Sequence, residues 1–152
     1  MPFVQEAGIG ILAWSPLAGG FLTGKYTREK PEGDGGRLTA FDMLPHDRDK
    51  SYSVVDRLRA LGAARGASTA QIALAWLLSK PYVSSVLLGA NKASQLEDNL
   101  AAADLRLASD ELAELDQLTA PAPIYPNWFG ARVVDVPVRD ALSGAASKKA
   151  SN

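Results

Sequence analysis

The spacing of apolar positions changes character along this chain, and each change marks an element. "GIGILAWS", residues 8–15, is apolar almost throughout and carries the β-forming residues Ile9, Ile11 and Trp14. It predicts a strand buried on both faces. The preceding "FVQEAG" predicts the last turn of a helix, closed by Gly8. Residues 27–50 are rich in glycine, proline and charge and predict a long excursion loop. In "SYSVVDRLRALGAARG", Val54, Val55, Leu58, Leu61 and Ala64 recur at helical spacing, and Gly66 ends the run. "STAQIALAWLLSKP" predicts a second helix, with Ser68 and Gln71 as the two halves of a capping box and Pro81 as its stop. Its apolar residues, Ile72 to Leu78, run almost all the way round, so it is expected to pack on several sides.

"YVSSVLLGA", residues 82–90, predicts a second strand. "SQLEDNLAAAD" predicts a helix with Leu96, Leu100 and Ala103 on one face. "SDELAELDQL" predicts another, capped by Ser109, with acids in its first turn and Leu112, Leu115 and Leu118 at helical spacing. From "TAPAPIYPNWFG" onward the pattern turns irregular, and the closing "LSGAASKKASN" is small and polar, as a frayed end would be. Strand, long loop, two helices, strand, two helices is the order of β/α units on a parallel sheet. Two strands of the buried type need neighbours on both edges, so the pattern looks like part of a larger architecture.

Composition narrows the classes. The chain has 152 residues, 47% hydrophobic and 22% charged, which fits a globular domain and not a disordered one. The net charge of −1 argues against a general nucleic-acid or anionic-membrane binder, so any anion site has to be local. There is no cysteine, which removes disulfides, thiolate nucleophiles and cysteine metal sites and fits a reducing compartment. "MPFVQEAGIG" lacks the basic and apolar regions of a signal peptide, and no apolar run reaches membrane-spanning length. A cytoplasmic location is the expectation.

The first strand runs straight into "SPLAGGFLTGKY". Ala18, Gly19 and Gly20 have little or no side chain, so their backbone N–H groups can approach a phosphate closely. Lys25 adds a point charge, and Trp14 at the strand tip offers a flat ring for stacking. A glycine-rich turn beside a core tryptophan explains the same letters. The second strand runs into "GANKASQLEDN", where a helix N-terminus favours anions. Asn91, Lys92 and Gln95 are candidates for a phosphate there, and Asp98 and Asn99 for hydrogen bonds to a base; an Asn-capped helix with a solvated polar face is the alternative. The acids of "SDELAELD" share their helix with an apolar face and are expected to be solvated. No histidine pair suggests a metal site, and no Gly-x-Ser-x-Gly elbow suggests a hydrolase.

"WSPLAGGFLTGKY" and "SSVLLGANKASQLEDNL" together resemble two signature segments of the aldo-keto reductase superfamily. The resemblance is to the branch of bacterial aldo/keto reductases and potassium-channel β subunits. It runs from about residue 5 to about residue 130, with the helical pair in the right place between the segments. It implies the last two β/α units of a (β/α)8 barrel plus a C-terminal helix, over residues 1–130, with 131–152 as a C-terminal tail. A complete barrel takes about 250 residues, so the barrel would be incomplete.

The resemblance further implies NADP(H) as cofactor and carbonyl reduction by hydride transfer in the complete enzyme. Trp14, Ser15, Pro16, Leu17, Ala18, Gly19 and Lys25 would face the nicotinamide and pyrophosphate. Gly89, Ala90, Asn91, Gln95, Asp98 and Asn99 would hold the adenosine end, with Arg37 reaching over it from the long loop. Many relatives carry arginine or serine where Asn91 stands, which leaves NADP against NAD preference open. The family's catalytic Asp, Tyr, Lys and His have no counterpart here. His46 reads as a solvated loop residue, and Lys25–Tyr26 lies on the phosphate side. Trp128 and Phe129 would line a substrate pocket or pack on the barrel. The chain alone is therefore expected to be inactive. A non-catalytic assembly module that self-associates through open strand edges, or a truncated product, are the other readings.

Overall fold

The computed structural model describes residues 2–31, 33 and 47–122. The chain divides into two units, Met1–Thr119 and Ala120–Asn152, and all the elements named here lie in the first. In chain order they are α1 (Pro2–Glu6), β1 (Ile11–Ala13), a kinked pair of 3-10 turns (Ala18–Thr23), α2 (Arg48–Arg65) and α3 (Thr69–Leu78). Then come β2 (Val83–Val86), α4 (Ala93–Leu100), a 3-10 turn (Ala101–Ala103) and α5 (Ser109–Thr119).

The two strands pair in parallel, as the β/α order requires. Ile11 lies opposite Val83, but Leu12 lies opposite Ser85 and Ala13 opposite Val86, so β2 carries one extra residue, Ser84. Glycine at position 10 makes room for it: a Cβ there would sit 2.0 Å from Ser84 Oγ. The strands are shorter than residues 8–15 and 82–90, and they are not buried on both faces. Leu12 is 57% exposed and Trp14 66%, while Ile9 and Leu87 are also exposed. Each strand has a single neighbour among the described residues, and an apolar strand is covered only where something pairs or packs against it.

The helices hold the core. Val54, Leu58 and Leu61 of α2 close on Ile72 and Ala73 of α3 and Leu115 of α5. Phe21, Tyr26, Tyr52 and Val55 make a second cluster, with Phe21 stacked on Tyr26 at 5.9 Å. Helix α2 begins at Arg48, inside the segment expected to be loop, because the Asp47 carboxylate accepts from Lys50 N at 3.1 Å and caps it. It ends as expected, with Gly66 left-handed at φ 64°. Ala64, expected on its apolar face, is exposed. Gly8 closes α1 through Gly8 N→Gln5 O and Ile9 N→Val4 O, the paired bonds of a Schellman ending.

Helix α3 starts on the expected capping box, with Gln71 N donating to Ser68 Oγ and Ser68 N donating to Gln71 Oε1. Ile72 to Ala75 are buried, and Leu78 is exposed. Helix α4 turns the opposite way from its apolar pattern. Leu96, Leu100 and Ala103 face solvent, whereas Asn99 and Ala102 are buried. The cause is a polar dock: Asp98 accepts from Ser68 Oγ at 2.7 Å and from Gln71 Nε2 at 2.9 Å, which fixes that face of α4 on the start of α3.

Helix α5 begins one residue off its expected cap. Ser109 is its first residue, and Glu111 reaches back to accept from Ala108 N at 2.7 Å. Asp110, Glu114 and Asp116 are exposed, as expected of a solvated face, and Glu111 is half-buried; three of the four also find partners. Glu111 takes both Arg65 Nε and Nη2, Glu114 takes Arg57 Nη2 at 2.5 Å, and Asp116 takes Trp76 Nε1 at 2.8 Å together with Lys80 Nζ. Leu115, between them, is fully buried, so the acids flank an apolar anchor and find basic partners on α2 and at the end of α3.

Candidate functional site

The register of the sheet decides where the two candidate loops lie. Ala13 is paired with Val86, and Leu87 N donates to Ala13 O at 2.9 Å. The chain therefore leaves β1 at Trp14 and leaves β2 at Leu87 from the same end of the sheet. That end is the carboxyl end of parallel strands, where open α/β sheets bind their ligands.

The first loop is wound tightly and in an unusual hand. Ser15 and Ala18 have φ of 52° and 49°, and Gly19 and Gly20 follow at 66° and 95°. A left-handed alanine or serine costs about 1–2 kcal/mol, a strain that persists only where the surroundings hold it. Here they do. Ala18 N donates to Ser15 O, Gly20 N and Leu22 N both donate to Leu17 O, and Gly19 N donates to Ser15 Oγ at 3.3 Å. The N–H groups of residues 18–20 thus close the loop on itself, and the longest of these bonds is the one to the Ser15 hydroxyl. Phe21 anchors the loop in the core.

Lys25 is folded back onto this loop. A Cβ on Gly20 would meet Lys25 Nζ at 3.1 Å and Cε at 3.2 Å, so the ammonium lies against a backbone that has no side chain to keep it away. Its other face is 5.2 Å from the centre of the Tyr26 ring, a cation–π contact. Trp14, at the strand tip, is open to solvent.

The second loop is looser. A Cβ on Gly89 would meet nothing within 4 Å among the described residues beyond its chain neighbours, and Ala90, Asn91 and Lys92 are exposed. Gln95 closes the turn by accepting from Asn91 N at 3.3 Å, and α4 starts after Lys92 without a side-chain cap. Asp98 is engaged by Ser68 and Gln71. Asn99, next to it, is 8% exposed. Arg37, His46, Trp128 and Phe129 lie outside the described residues.

A third group was not singled out by sequence. The Asp56 carboxylate on α2 joins Arg28 and Arg59, with Arg28 Nη1 at 2.8 Å and Arg59 Nη1 at 3.0 Å, and Arg59 Nη2 donates to Gly24 O at 3.2 Å. The only sequence signal for it is the three-residue spacing of Asp56 and Arg59; Arg28 comes from a distant segment. Among the described residues no cluster of three or more histidine, aspartate or glutamate side chains could hold a metal ion, and no helix is long and apolar enough to cross a membrane.

The Aldo/keto reductase family pattern matches residues 1–120. The L-glyceraldehyde 3-phosphate reductase of Escherichia coli (strain K12) is 40% identical over 122 residues, covering 75% of this chain and 34% of that protein. A putative voltage-gated potassium channel subunit beta of Schizosaccharomyces pombe is 36% identical over 132 residues, covering 82% of this chain and 38% of its own length. Aldo-keto reductase str7 of Strobilurus tenacellus is 31% identical over 137 residues, covering 88% and 41%. The chain spans between a third and two fifths of the length of these relatives. With the family pattern matched over most of its length and both signature loops set at one end of a parallel sheet, the chain belongs to the aldo/keto reductase family.

Proposed function

We propose that this chain is the dinucleotide-holding portion of an aldo/keto reductase, with β1 and β2 as neighbouring strands of its barrel. The observation that carries the reading is the placement of Lys25: a flexible ammonium folded over Gly20, in the loop that follows β1. The donor set suits a polyanion. Lys25 and the Ser15 hydroxyl would hold the pyrophosphate, and Lys92, Asn91 and Gln95 the phosphate of the adenosine end. Trp14, open at the strand tip, offers its indole face to the nicotinamide. Asn99, which is not tied to Ser68 and Gln71, suits the adenine better than Asp98, which would first have to release one of them. When bound, the reduced dinucleotide supplies the hydride that a carbonyl carbon accepts. The proton for the carbonyl oxygen would come from a group that this chain does not carry.

The test is a titration of tryptophan fluorescence with NADPH and with NADH. Quenching is expected with NADPH, and Lys25→Ala should weaken binding by about tenfold, the order of one charge-assisted contact. Absence of quenching at millimolar cofactor would overturn the reading. Turnover of a simple aldehyde by the purified chain with NADPH would overturn the missing proton donor.

A further inference from the structure

Lys25 is aimed at the glycine turn, and something has to keep it there. Lysine carries a long, freely rotating stem, so its aim depends on the backbone that bears it. The segment Gly24 to Arg28 is held at both ends by α2. At its start, Gly24 O accepts from Arg59 Nη2 at 3.2 Å. At its finish, Arg28 Nη1 donates to Asp56 Oδ2 at 2.8 Å, Arg28 Nη2 reaches Ser53 Oγ at 3.4 Å, and its guanidinium lies 5.2 Å over the Tyr52 ring. The two ends meet on one carboxylate, because Arg59 Nη1 donates to Asp56 Oδ1 at 3.0 Å. In between, Tyr26 is buried against Phe21. Tyr26 is thereby fixed, and Lys25, exposed in the turn just before it, lies with its ammonium 5.2 Å from the Tyr26 ring and against Gly20.

We infer that Asp56 is a positioning residue of the phosphate site: by joining Arg28 and Arg59 it fixes the segment that presents Lys25 to the loop after β1. This inference rests on the dinucleotide reading for its consequence, but not for its geometry. The Asp56 side chain is 53% exposed, so its ion pairs add little to overall stability. Their effect is on where one ammonium sits.

The sign of the effect separates positioning from plain electrostatics. Asp56→Asn removes a negative charge near an anion site, and Coulomb attraction alone would tighten phosphate binding. Positioning demands the reverse, a weakening of NADPH binding by about threefold to tenfold, the order of two exposed ion pairs. Arg28→Lys, which leaves net charge unchanged but loses the fork that spans Asp56 and Ser53, is expected to weaken it likewise. Neither change should add to the loss already caused by Lys25→Ala. Binding that is unchanged or tighter in Asp56→Asn, or an undiminished further loss in the Lys25→Ala background, overturns the inference. A readout without cofactor stands beside these. The ε-methylene protons of Lys25 should be shifted upfield by the Tyr26 ring and should relax toward ordinary lysine values in Asp56→Asn. If the parent chain fails to bind NADPH, the dinucleotide reading falls and this shift alone decides the positioning role; an unchanged shift rejects it.

Discussion

Gly62 shows how one missing methyl group shapes the molecule. It lies inside α2, where alanine would improve helix propensity by about 1 kcal/mol. Yet a Cβ there would stand 2.6 Å from the Ala67 carbonyl oxygen. That carbonyl cannot withdraw cheaply, because Ala67 N is itself bonded to Gly62 O at 2.9 Å. The clash outweighs the propensity, and Gly62→Ala is expected to destabilise the fold by about 1–2 kcal/mol, measured as a lower urea midpoint with an unchanged slope. A gain in stability would contradict this packing. Residues whose work is local are legible in the letters alone. The Ser68–Gln71 box and the Gly66 and Gly8 endings are written in neighbouring positions, and each forms. Asp98 is not legible in the same way: its partners are Ser68 and Gln71, some thirty positions away, and nothing near it in sequence names them.

At the scale of elements, α5 is the clearest case of chemistry hidden by pattern. Its leucines predict which face packs, and the acids beside them are solvent-facing as expected, but the pattern does not show that three of them also pair with Arg57, Arg65 and Lys80. The Arg65 guanidinium, helped by Ala108 N–H, holds the Glu111 carboxyl below its ordinary range, and Lys80 with the Trp76 indole N–H does the same for Asp116. Both carboxyls are easier to protonate in the unfolded chain, so the unfolded state binds more protons in the acid range and stability rises with pH there. Their contribution is complete above the ordinary carboxylate range and is lost as pH falls through the lowered values. The urea midpoint should therefore drop between about pH 5.5 and about pH 3, and Glu111→Gln should flatten that drop. A midpoint equally steep in the variant would argue against the clasp. For α4 the periodicity misleads, because a half-buried polar dock outranks its leucines in choosing the face. For the strands, length and burial depend on neighbours that composition cannot supply.

For the molecule as a whole, the described unit is a helical core carrying a two-stranded parallel sheet whose outer edges are open among the described residues. Phe3, Ile9, Leu12, Trp14, Leu87, Leu96 and Leu100 are all exposed. Apolar strands with unpaired edges are templates for association, and charge on the edge is the usual remedy. Leu12→Lys is expected to raise the concentration at which the purified chain begins to scatter light, and to leave helix content unchanged; scattering that does not respond would place the sticky surface elsewhere. The order of elements and the pairing of the two signature loops can be read from the sequence, since a parallel pair of β/α units brings both loops to one end. The clamp of Arg28, Asp56 and Arg59 cannot, because it joins segments that only the folded chain brings together.

The open space around Gly89 has a practical outcome. Apart from its chain neighbours, no atom of the described residues lies within 4 Å of where a side chain would begin, and the chain contains no cysteine. A single thiol introduced by Gly89→Cys would be the sole sulfhydryl in this chain, set in the turn after β2. A dye tethered there would report events at that turn against a background that is chemically silent.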